Sequence, residues 1–209
     1  LTDGTIDFTG YTLDANEAVS SADVFTLGSG TNTFTGTTAT LTITAGTFDA
    51  GTGTPVFGGA FSISAGTFDG AALTSADFNG AITISGTGIF DASPGTTTMA
   101  GNFTHTTGGT FNNNSGTVTV DGSSSVTWNV NASEDFTNFT MDNSNGSAMV
   151  ISTGDTLNVN GTLTLTDGSI TTGTIDAKGA TISIGAGYGA TTNLSGTLIV
   201  DGVGVQTVS

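Results

Sequence analysis

Acidic side chains recur at one position of a repeated motif in this sequence. Asp49, Asp69 and Asp91 each directly follow a phenylalanine, and Asn112 holds the equivalent place after Phe111. Side chains of these types cap turns through their oxygen atoms. Stacked carboxylates would also repel one another, and Ca²⁺, which binds carboxylate and carbonyl oxygens, would relieve that repulsion. Turn capping and a Ca²⁺ site at Asp49, Asp69 and Asp91 are therefore the two alternatives, although the glycine-rich nonapeptide calcium repeat is absent.

Hydroxyl side chains recur a few residues before each of these aspartates and before Asn112. They predict two columns of a surface ladder, Thr42, Ser62, Thr83 and Thr104 in one and Thr44, Ser64, Ser85 and Thr106 in the other. Threonine suits a strand surface, and stacked hydroxyls hydrogen-bond without charge repulsion. That is a sufficient structural reason for 45 Thr and 20 Ser in 209 residues. A flat hydroxyl face that binds glycans or ice, and O-glycosylation, are the functional alternatives.

No set of residues in the sequence predicts an enzyme. The sole histidine, His105, stands alone at a position that is apolar in the other repeats, so we expect it to face inward or to cap that column. A catalytic histidine would need a nucleophile and an orienting acid beside it. The adjacent acids Glu134 and Asp135 lie in a predicted loop, and Lys178 near Asp176 indicates a surface ion pair of small energy. We therefore expect no catalytic residues and no cofactor other than the alternative Ca²⁺.

Charge excludes several classes of partner. The chain has 17 acidic residues against one Lys and no Arg, for a formal net charge of −16. Binding to nucleic acid requires clustered Lys and Arg, and so does binding to an anionic membrane surface. Cys is absent, which excludes disulfides and thiol nucleophiles. No apolar run approaches the roughly 20 residues that span a bilayer, so membrane insertion is not expected.

A short repeat organises these side chains. It is clearest in four segments, residues 41–49 (LTITAGTFD), 61–69 (FSISAGTFD), 82–91 (ITISGTGIFD) and 103–112 (FTHTTGGTFN). Alternation of apolar and hydroxyl residues indicates a strand, and the glycine that follows indicates a corner. The repeat length of roughly 20–22 residues is too short for a domain but suits one coil of a solenoid.

The predicted fold class is all-β, a parallel β-helix (β-solenoid) of roughly ten coils with almost no helix. Residues 14–21 are the best helical candidate, and they are few. A β-sandwich is the competing fold, but it has no reason to repeat one motif at this spacing. We expect a single domain over residues 1–209, with more irregular first coils at 1–30, regular repeats at 31–115 and looser repeats at 116–209.

The alternation also predicts the core. Residues expected to point inward in the regular repeats are Leu41, Ile43, Phe61, Ile63, Ile82, Ile84 and Phe103, with a second column of Phe48, Phe68, Phe90 and Phe111. Later core residues are expected at Trp128, Phe139, Met141, Leu157, Val159, Leu163 and Leu165.

Three segments carry a resemblance to a known family: residues 102–122 (NFTHTTGGTFNNNSGTVTVDG), 136–143 (FTNFTMDN) and 157–168 (LNVNGTLTLTDG). They resemble the repeats of large secreted prokaryotic surface proteins, the filamentous-haemagglutinin and autotransporter type of parallel β-helix. The resemblance covers most of the chain from about Thr31 onward. It implies an extracellular, structural or adhesive role and brings no catalytic residues with it. Such proteins usually run far longer and carry export and anchoring segments, which is where this sequence departs from them.

Solenoid ends are open strand edges that accept further strands unless they are capped. We see no polar cap at Leu1, and residues 203–208 (VGVQTV) read as another strand. The sequence therefore predicts a non-enzymatic structural protein of the cell surface, a filament or sheath subunit stacked head to tail on copies of itself. The alternatives are a rod segment of a larger adhesin, whose partners are neighbouring repeats of a longer chain, and a module that binds glycans or ice through its flat Thr/Ser face.

Overall fold

The computed structural model describes residues 4–7, 12–14, 24–26, 32–35, 40–179, 181–189, 195–202 and 207–208. Strands in these residues pair in parallel with strands one coil away, and the chain winds as a β-solenoid with almost no helix. The predicted fold class is confirmed. Parallel pairing between strands about one repeat apart rules out a sandwich built of antiparallel hairpins.

The strands of the described residues, numbered in chain order, are β1 (Gly4–Asp7), β2 (Thr12–Asp14), β3 (Val24–Thr26), β4 (Asn32–Thr35), β5 (Thr40–Ile43), β6 (Thr47–Asp49), β7 (Val56–Phe57), β8 (Phe61–Ile63), β9 (Thr67–Asp69), β10 (Ser75–Phe78), β11 (Ile82–Ile84), β12 (Ile89–Asp91), β13 (Thr96–Met99), β14 (Phe103–His105), β15 (Thr110–Asn112), β16 (Thr117–Val120), β17 (Val126–Asn129), β18 (Ser133–Phe136), β19 (Asn138–Asp142), β20 (Ala148–Ile151), β21 (Thr156–Val159), β22 (Thr162–Thr172), β23 (Thr174–Ala177), β24 (Thr181–Tyr188), β25 (Thr197–Val200) and β26 (Thr207–Val208). In the same residues the one helical segment is a 3₁₀ turn at Ser144–Gly146. Of the helical candidate at 14–21, Asp14 ends β2, and residues 15–21 lie outside the described residues.

The strands stack into three faces. The first face holds β1, β4, β7, β10, β13, β16 and β19, and the second holds β2, β5, β8, β11, β14, β17 and β20. Strand β22 runs through both, because its first part pairs with β19 and its last part with β20. The third face consists of two separate sheets, β3-β6-β9-β12-β15 and β18-β21-β23-β25. We call one strand's place in a face a rung.

The solenoid has about seven coils, fewer than the roughly ten predicted. The stretch from β5 to β23 is described without a gap. Strands β1 to β4 add rungs below this stretch, and β24 to β26 add rungs above it. The repeat lengths also vary beyond the predicted range. The coil that pairs Phe103 with Trp128 is longer than predicted, and the coil that pairs Leu157 with Ile175 is shorter.

Glycine at one corner of the solenoid is required by the distance between coils. A Cβ atom placed on Gly80 would lie 2.2 Å from the carbonyl oxygen of Gly59, and one on Gly101 would lie 2.4 Å from that of Gly80. Such distances are far shorter than van der Waals contact, so successive coils at this corner approach backbone to backbone.

The core is the predicted set of stacked columns. In the regular repeats each expected apolar side chain is buried, and the later core residues from Trp128 to Leu165 are buried as well. The ring of Phe68 lies 5.9 Å from that of Phe48 and 5.0 Å from that of Phe90, and Phe111 continues the column 5.7 Å beyond Phe90. The rings are stacked at the first and last of these contacts and tilted at the Phe68–Phe90 contact, and such aromatic pairs stabilise the fold beyond the burial of their surface.

Replacing one ring of this column tests its contribution to stability. Phe68→Ala is expected to lower the free energy of unfolding by about 3–5 kcal/mol, because a fully buried ring between two coils leaves a cavity. Thr67→Ala, on the same strand but half-buried, is the matched control, with an expected change of roughly 0.5 kcal/mol or less. Urea unfolding followed by circular dichroism measures both, and equal losses in the two variants would contradict the stacked core.

Candidate functional site

The predicted hydroxyl ladder lies on the second face. Thr42, Ser62, Thr83 and Thr104 are direct partners on four successive rungs, and all four are half-buried. The second predicted column lies at the corner after each strand, and two of its hydroxyls bond to the backbone of the preceding coil. Ser85 Oγ donates to the carbonyl oxygen of Ile63, and Thr106 Oγ1 to that of Ile84, each over 3.4 Å. The first column is therefore the one that presents its hydroxyls along the strand surface.

A longer hydroxyl array on the first face was missed from the sequence. It begins with Asp77, whose carboxylate accepts a hydrogen bond of 2.9 Å from Thr98 Oγ1. In-register partners then continue rung by rung through Thr98, Thr119, Thr140, Thr164 and Ser183. The signal in the sequence is Thr-x-Thr at 96–98, 117–119 and 162–164.

The three aspartates of the repeat stand in register on the third face, and two of them cap the turn that follows them. Asp49 Oδ1 accepts the backbone N–H of Gly51 at 2.8 Å, and Asp69 Oδ1 accepts that of Ala71 at 3.1 Å. Asp91 Oδ1 instead accepts Asn112 Nδ2 from the next coil at 2.6 Å. In the described part of the chain no three His, Asp or Glu side chains gather where they could hold a metal ion. Turn capping thus accounts for Asp49 and Asp69, and the Ca²⁺ site stays a prediction.

His105 is not isolated, contrary to the expectation from sequence. It occupies the predicted column position, directly opposite Ile84, but it is only half-buried and its Nδ1 bonds to the carboxylate of Glu134. The expectation that Glu134 and Asp135 lie in a loop was also wrong, because both belong to strand β18. Glu134 points inward there, next to the imidazole, because the strand places it on the apolar side of the alternation.

Hydrogen bonds set the charge of this imidazole. The bond to Glu134 raises the pKa of His105 above its ordinary value of 6.5, and a backbone hydrogen bond at Gly109 raises it further, while burial works in the opposite direction. The ring bridges two coils, and its bond to Glu134 favours the protonated form. In the described residues no hydrogen bond joins a side-chain hydroxyl to this ring.

Asp155, a buried aspartate that the sequence did not indicate as functional, stabilises the corner between β17 and β18. Asp155 accepts the backbone N–H of Val130 at 2.8 Å and that of Ala132 at 3.0 Å. Asn131 and Ala132 both have positive φ, which costs energy in residues other than glycine. The carboxylate thus stabilises a strained corner.

Lys178 forms the ion pair with Asp176 predicted from the sequence, with 3.5 Å between Nζ and Oδ2. It also donates to Asn158 Oδ1 at 3.0 Å, and Asn158 in turn donates to Asp135 at 2.9 Å. A hydrogen bond to Asp176 raises the pKa of Asp201, which is fully exposed. This polar chain crosses successive rungs of the third face, and its exposed members contribute little to stability.

Comparisons with known proteins do not assign this chain to a family. No protein family, no curated protein and no solved structure matches this chain. The structure shows a parallel β-solenoid, and none of these comparisons supports the resemblance to filamentous-haemagglutinin repeats. Among the described residues no helix is both long and apolar enough to cross a membrane.

The single histidine allows a direct test of the His105–Glu134 bridge. Because the folded state raises the pKa of His105, the bridge stabilises the fold fully below pH 6.5, and this contribution is lost as the pH rises through the folded-state pKa. NMR titration of the one imidazole is expected to give a pKa above 6.5 in the native chain and a lower one in Glu134→Gln.

Asp135→Asn is the matched control, since Asp135 is the exposed neighbour on the same strand. It is expected to leave the His105 pKa close to the native value. A titration midpoint that is the same in Glu134→Gln as in the native chain would show that the carboxylate does not bind the ring.

Proposed function

We propose that this protein is a non-enzymatic structural protein of the cell surface, a filament or sheath subunit that assembles by stacking the end of one solenoid on the beginning of the next. The proposal rests on strand β25, where one layer of the core is exposed to solvent. Leu198 and Val200 pair with the buried residues Ile175 and Ala177, which places them on the inward columns. Both are nonetheless exposed, Leu198 by 41% and Val200 by 48%.

The uncovered layer is apolar and concave. Ile184 continues the column above Leu165 and is 42% exposed. Beneath it lies a cavity of about 270 Å³ lined mainly by Leu165, Ile170, Ile175 and Tyr188. Covering these apolar side chains with another rung would stabilise the assembly by about 25 cal/mol for each Å² of apolar surface removed from water.

Strand direction allows one copy to supply that rung to another. In the described residues β1, β2 and β3 each pair on one side only, and so does β25 at the opposite end. Because all the ladders are parallel, a second copy placed end to end continues them in the same direction. A contact between two different surfaces of identical subunits does not close on itself and produces a filament.

Charge and the polar side chains fit a structural role. The sole imidazole is engaged by Glu134 and the sole ammonium by Asp176, which supports the non-enzymatic part of the proposal. A net charge of −16 would keep the sides of neighbouring filaments apart while the apolar ends associate. The location at the cell surface rests on the resemblance to secreted β-helix repeats. A rod segment of a larger adhesin would use the same stacking within one longer chain.

The hydroxyl arrays favour a second candidate, a module that binds a glycan or ice through a flat face. Two faces present in-register hydroxyls, the second through Thr42, Ser62, Thr83 and Thr104 and the first through Thr98, Thr119, Thr140 and Thr164. Parallel rungs about 4.8 Å apart give such an array a regular spacing that a repeating ligand surface can match.

End-to-end stacking is tested by electron microscopy of the purified chain at neutral pH. The native chain is expected to form long uniform fibres, and Leu198→Lys combined with Val200→Lys is expected to give short rods, because ammonium groups on the inward columns cannot be buried by a second copy. Ile199→Lys, on the same strand but facing outward, is the matched control and is expected to form fibres. Short rods from the native chain at high concentration would contradict the filament and favour the adhesin segment.

The hydroxyl-face candidate is tested by thermal hysteresis and by binding to a glycan array. If it is correct, replacing Thr83 and Thr104 with Tyr abolishes the signal, because bulky rings break the flat column, while the fold remains intact by circular dichroism. A signal that survives these replacements would place the binding surface elsewhere.

A further inference from the structure

The only lysine of this chain contacts an amide of the neighbouring rung. Strands β21 and β23 are adjacent on the third face, and their register places Asn158 directly opposite Asp176. Lys178 comes just after β23, and its Nζ donates a hydrogen bond of 3.0 Å to Asn158 Oδ1. A primary amine is therefore held against a carboxamide of another coil. Amines of this kind are nucleophiles once they lose a proton.

Hydrogen bonds position both groups. The backbone N–H of Lys178 donates to the carbonyl oxygen of Val159 over 2.8 Å, and that of Gly179 donates to the same oxygen over 3.0 Å. Because Val159 follows Asn158 directly, these bonds fix the lysine backbone beside the amide. On its other side, Asn158 Nδ2 donates to Asp135 Oδ1 over 2.9 Å. Two reacting groups held about 3–3.5 Å apart in this way react as if each were present at very high concentration.

A carboxylate that can move protons lies beside the amine. Asp176 Oδ2 is 3.5 Å from Nζ of Lys178, and Asp176 Oδ1 is buried without a nitrogen or hydroxyl donor. A hydrogen bond between the carboxyl groups of Asp176 and Asp201 raises the pKa of Asp201. Asp176 thus contacts the ammonium on one side and, on the other, a carboxyl group that keeps its proton to a higher pH than usual. A carboxylate in this position suits general acid–base catalysis.

The reaction that these groups allow is a transamidation. Nζ of Lys178 attacks Cγ of Asn158, the bond between Nζ and Cγ forms, and the bond between Cγ and Nδ2 breaks. The ammonium group carries three hydrogens, and the nitrogen of the product keeps one. The other two pass, by way of Asp176, to Nδ2, which leaves as ammonium. The electrons balance within the two side chains, so the step needs no oxidant or reductant.

Charge alone does not explain where the lysine lies. Asp49, Asp69 and Asp91 stand in register, and an ammonium placed there would offset the repulsion between three carboxylates. The chain instead places its only lysine against a carboxamide, with a carboxylate within reach to accept its proton. That arrangement favours a covalent role for Lys178.

We propose that Lys178 and Asn158 join in an isopeptide bond between β21 and β23, and that Asp176 transfers the protons. The bond links two rungs of the third face directly below β25, the strand whose inward residues are exposed. It forms within one chain and does not depend on filament formation, so the two proposals can fail separately.

The sequence makes the bond easy to detect, because trypsin cleaves after Lys and Arg and this chain offers Lys178 alone. Intact mass spectrometry of the purified native chain is expected to give the mass of the sequence less one molecule of ammonia, and trypsin in urea is expected to leave that chain uncut. Asn158→Ala is expected to have the full mass of its sequence and to be cut after Lys178. Asn129→Ala, which removes an exposed amide on β17, is the matched control and is expected to behave as the native chain does.

Asp176→Ala tests the transfer of protons. With the fold intact by circular dichroism, it is expected to form the bond roughly a hundredfold more slowly than the native chain, measured as the cross-linked fraction at fixed times after a pulse of expression. Equal rates in the two chains would overturn the role of Asp176.

The measurement on the native chain decides the bond itself, whether or not a variant folds. A native chain of full mass that trypsin cuts after Lys178 overturns the proposal. Loss of ammonia from a chain that trypsin still cuts also overturns it, because a succinimide at an asparagine–glycine step loses the same mass and leaves the lysine free.

Discussion

Each coil of this protein buries its apolar side chains against the coils above and below it, and the rest of the structure depends on that contact. A buried phenylalanine contributes roughly 1.5–3 kcal/mol, whereas an exposed ion pair contributes about 1 kcal/mol or less. The column through Phe48, Phe68, Phe90 and Phe111 therefore fixes the register, and the outward residues follow. This is why hydroxyls stack on hydroxyls and carboxylates on carboxylates along the same faces. It is also why the corner at Gly80 and Gly101 leaves no room for a side chain.

The same contact accounts for the functional proposals. A rung stabilises the fold fully only when another rung covers its inward side chains. The exposed inward residues of β25 therefore favour continued stacking. Where one coil is lengthened, the core column persists but the strand edges separate, and a polar cleft opens above Phe111 and Phe136. Exposed apolar residues at one end and a polar opening in the third face are thus two consequences of one architecture. A strongly acidic surface is compatible with both, because neither requires a cationic group.

The regular part of the fold could be predicted because its signals are local. Alternation at a period of two places Ile63 inward and Ser62 outward, and the spacing of the phenylalanines gives the coil length. The later repeats could not be assigned to a face, since the same apolar–hydroxyl alternation serves all three. Of the similar segments at 161–167 and 196–201, the first holds the start of β22, on the first face, and the second holds β25, on the third face. The His105–Glu134 bridge was missed for a related reason, because it joins residues far apart in the chain and depends on a coil of irregular length.

The core columns, the hydroxyl arrays and the stacking of ends all depend on the register between adjacent coils. Engineered disulfides test that register most directly. The chain has no native cysteine, so an introduced pair reacts without competition. Thr83 and Thr104 are direct partners on neighbouring rungs, which puts their Cα atoms about 4.8 Å apart, within the range that a disulfide bridges. The account predicts rapid and complete oxidation of the Thr83→Cys, Thr104→Cys pair and no intramolecular bridge for Ser62→Cys, Thr104→Cys, whose positions are two rungs apart. A bridge in the second pair, or its absence in the first, would contradict the stacked solenoid.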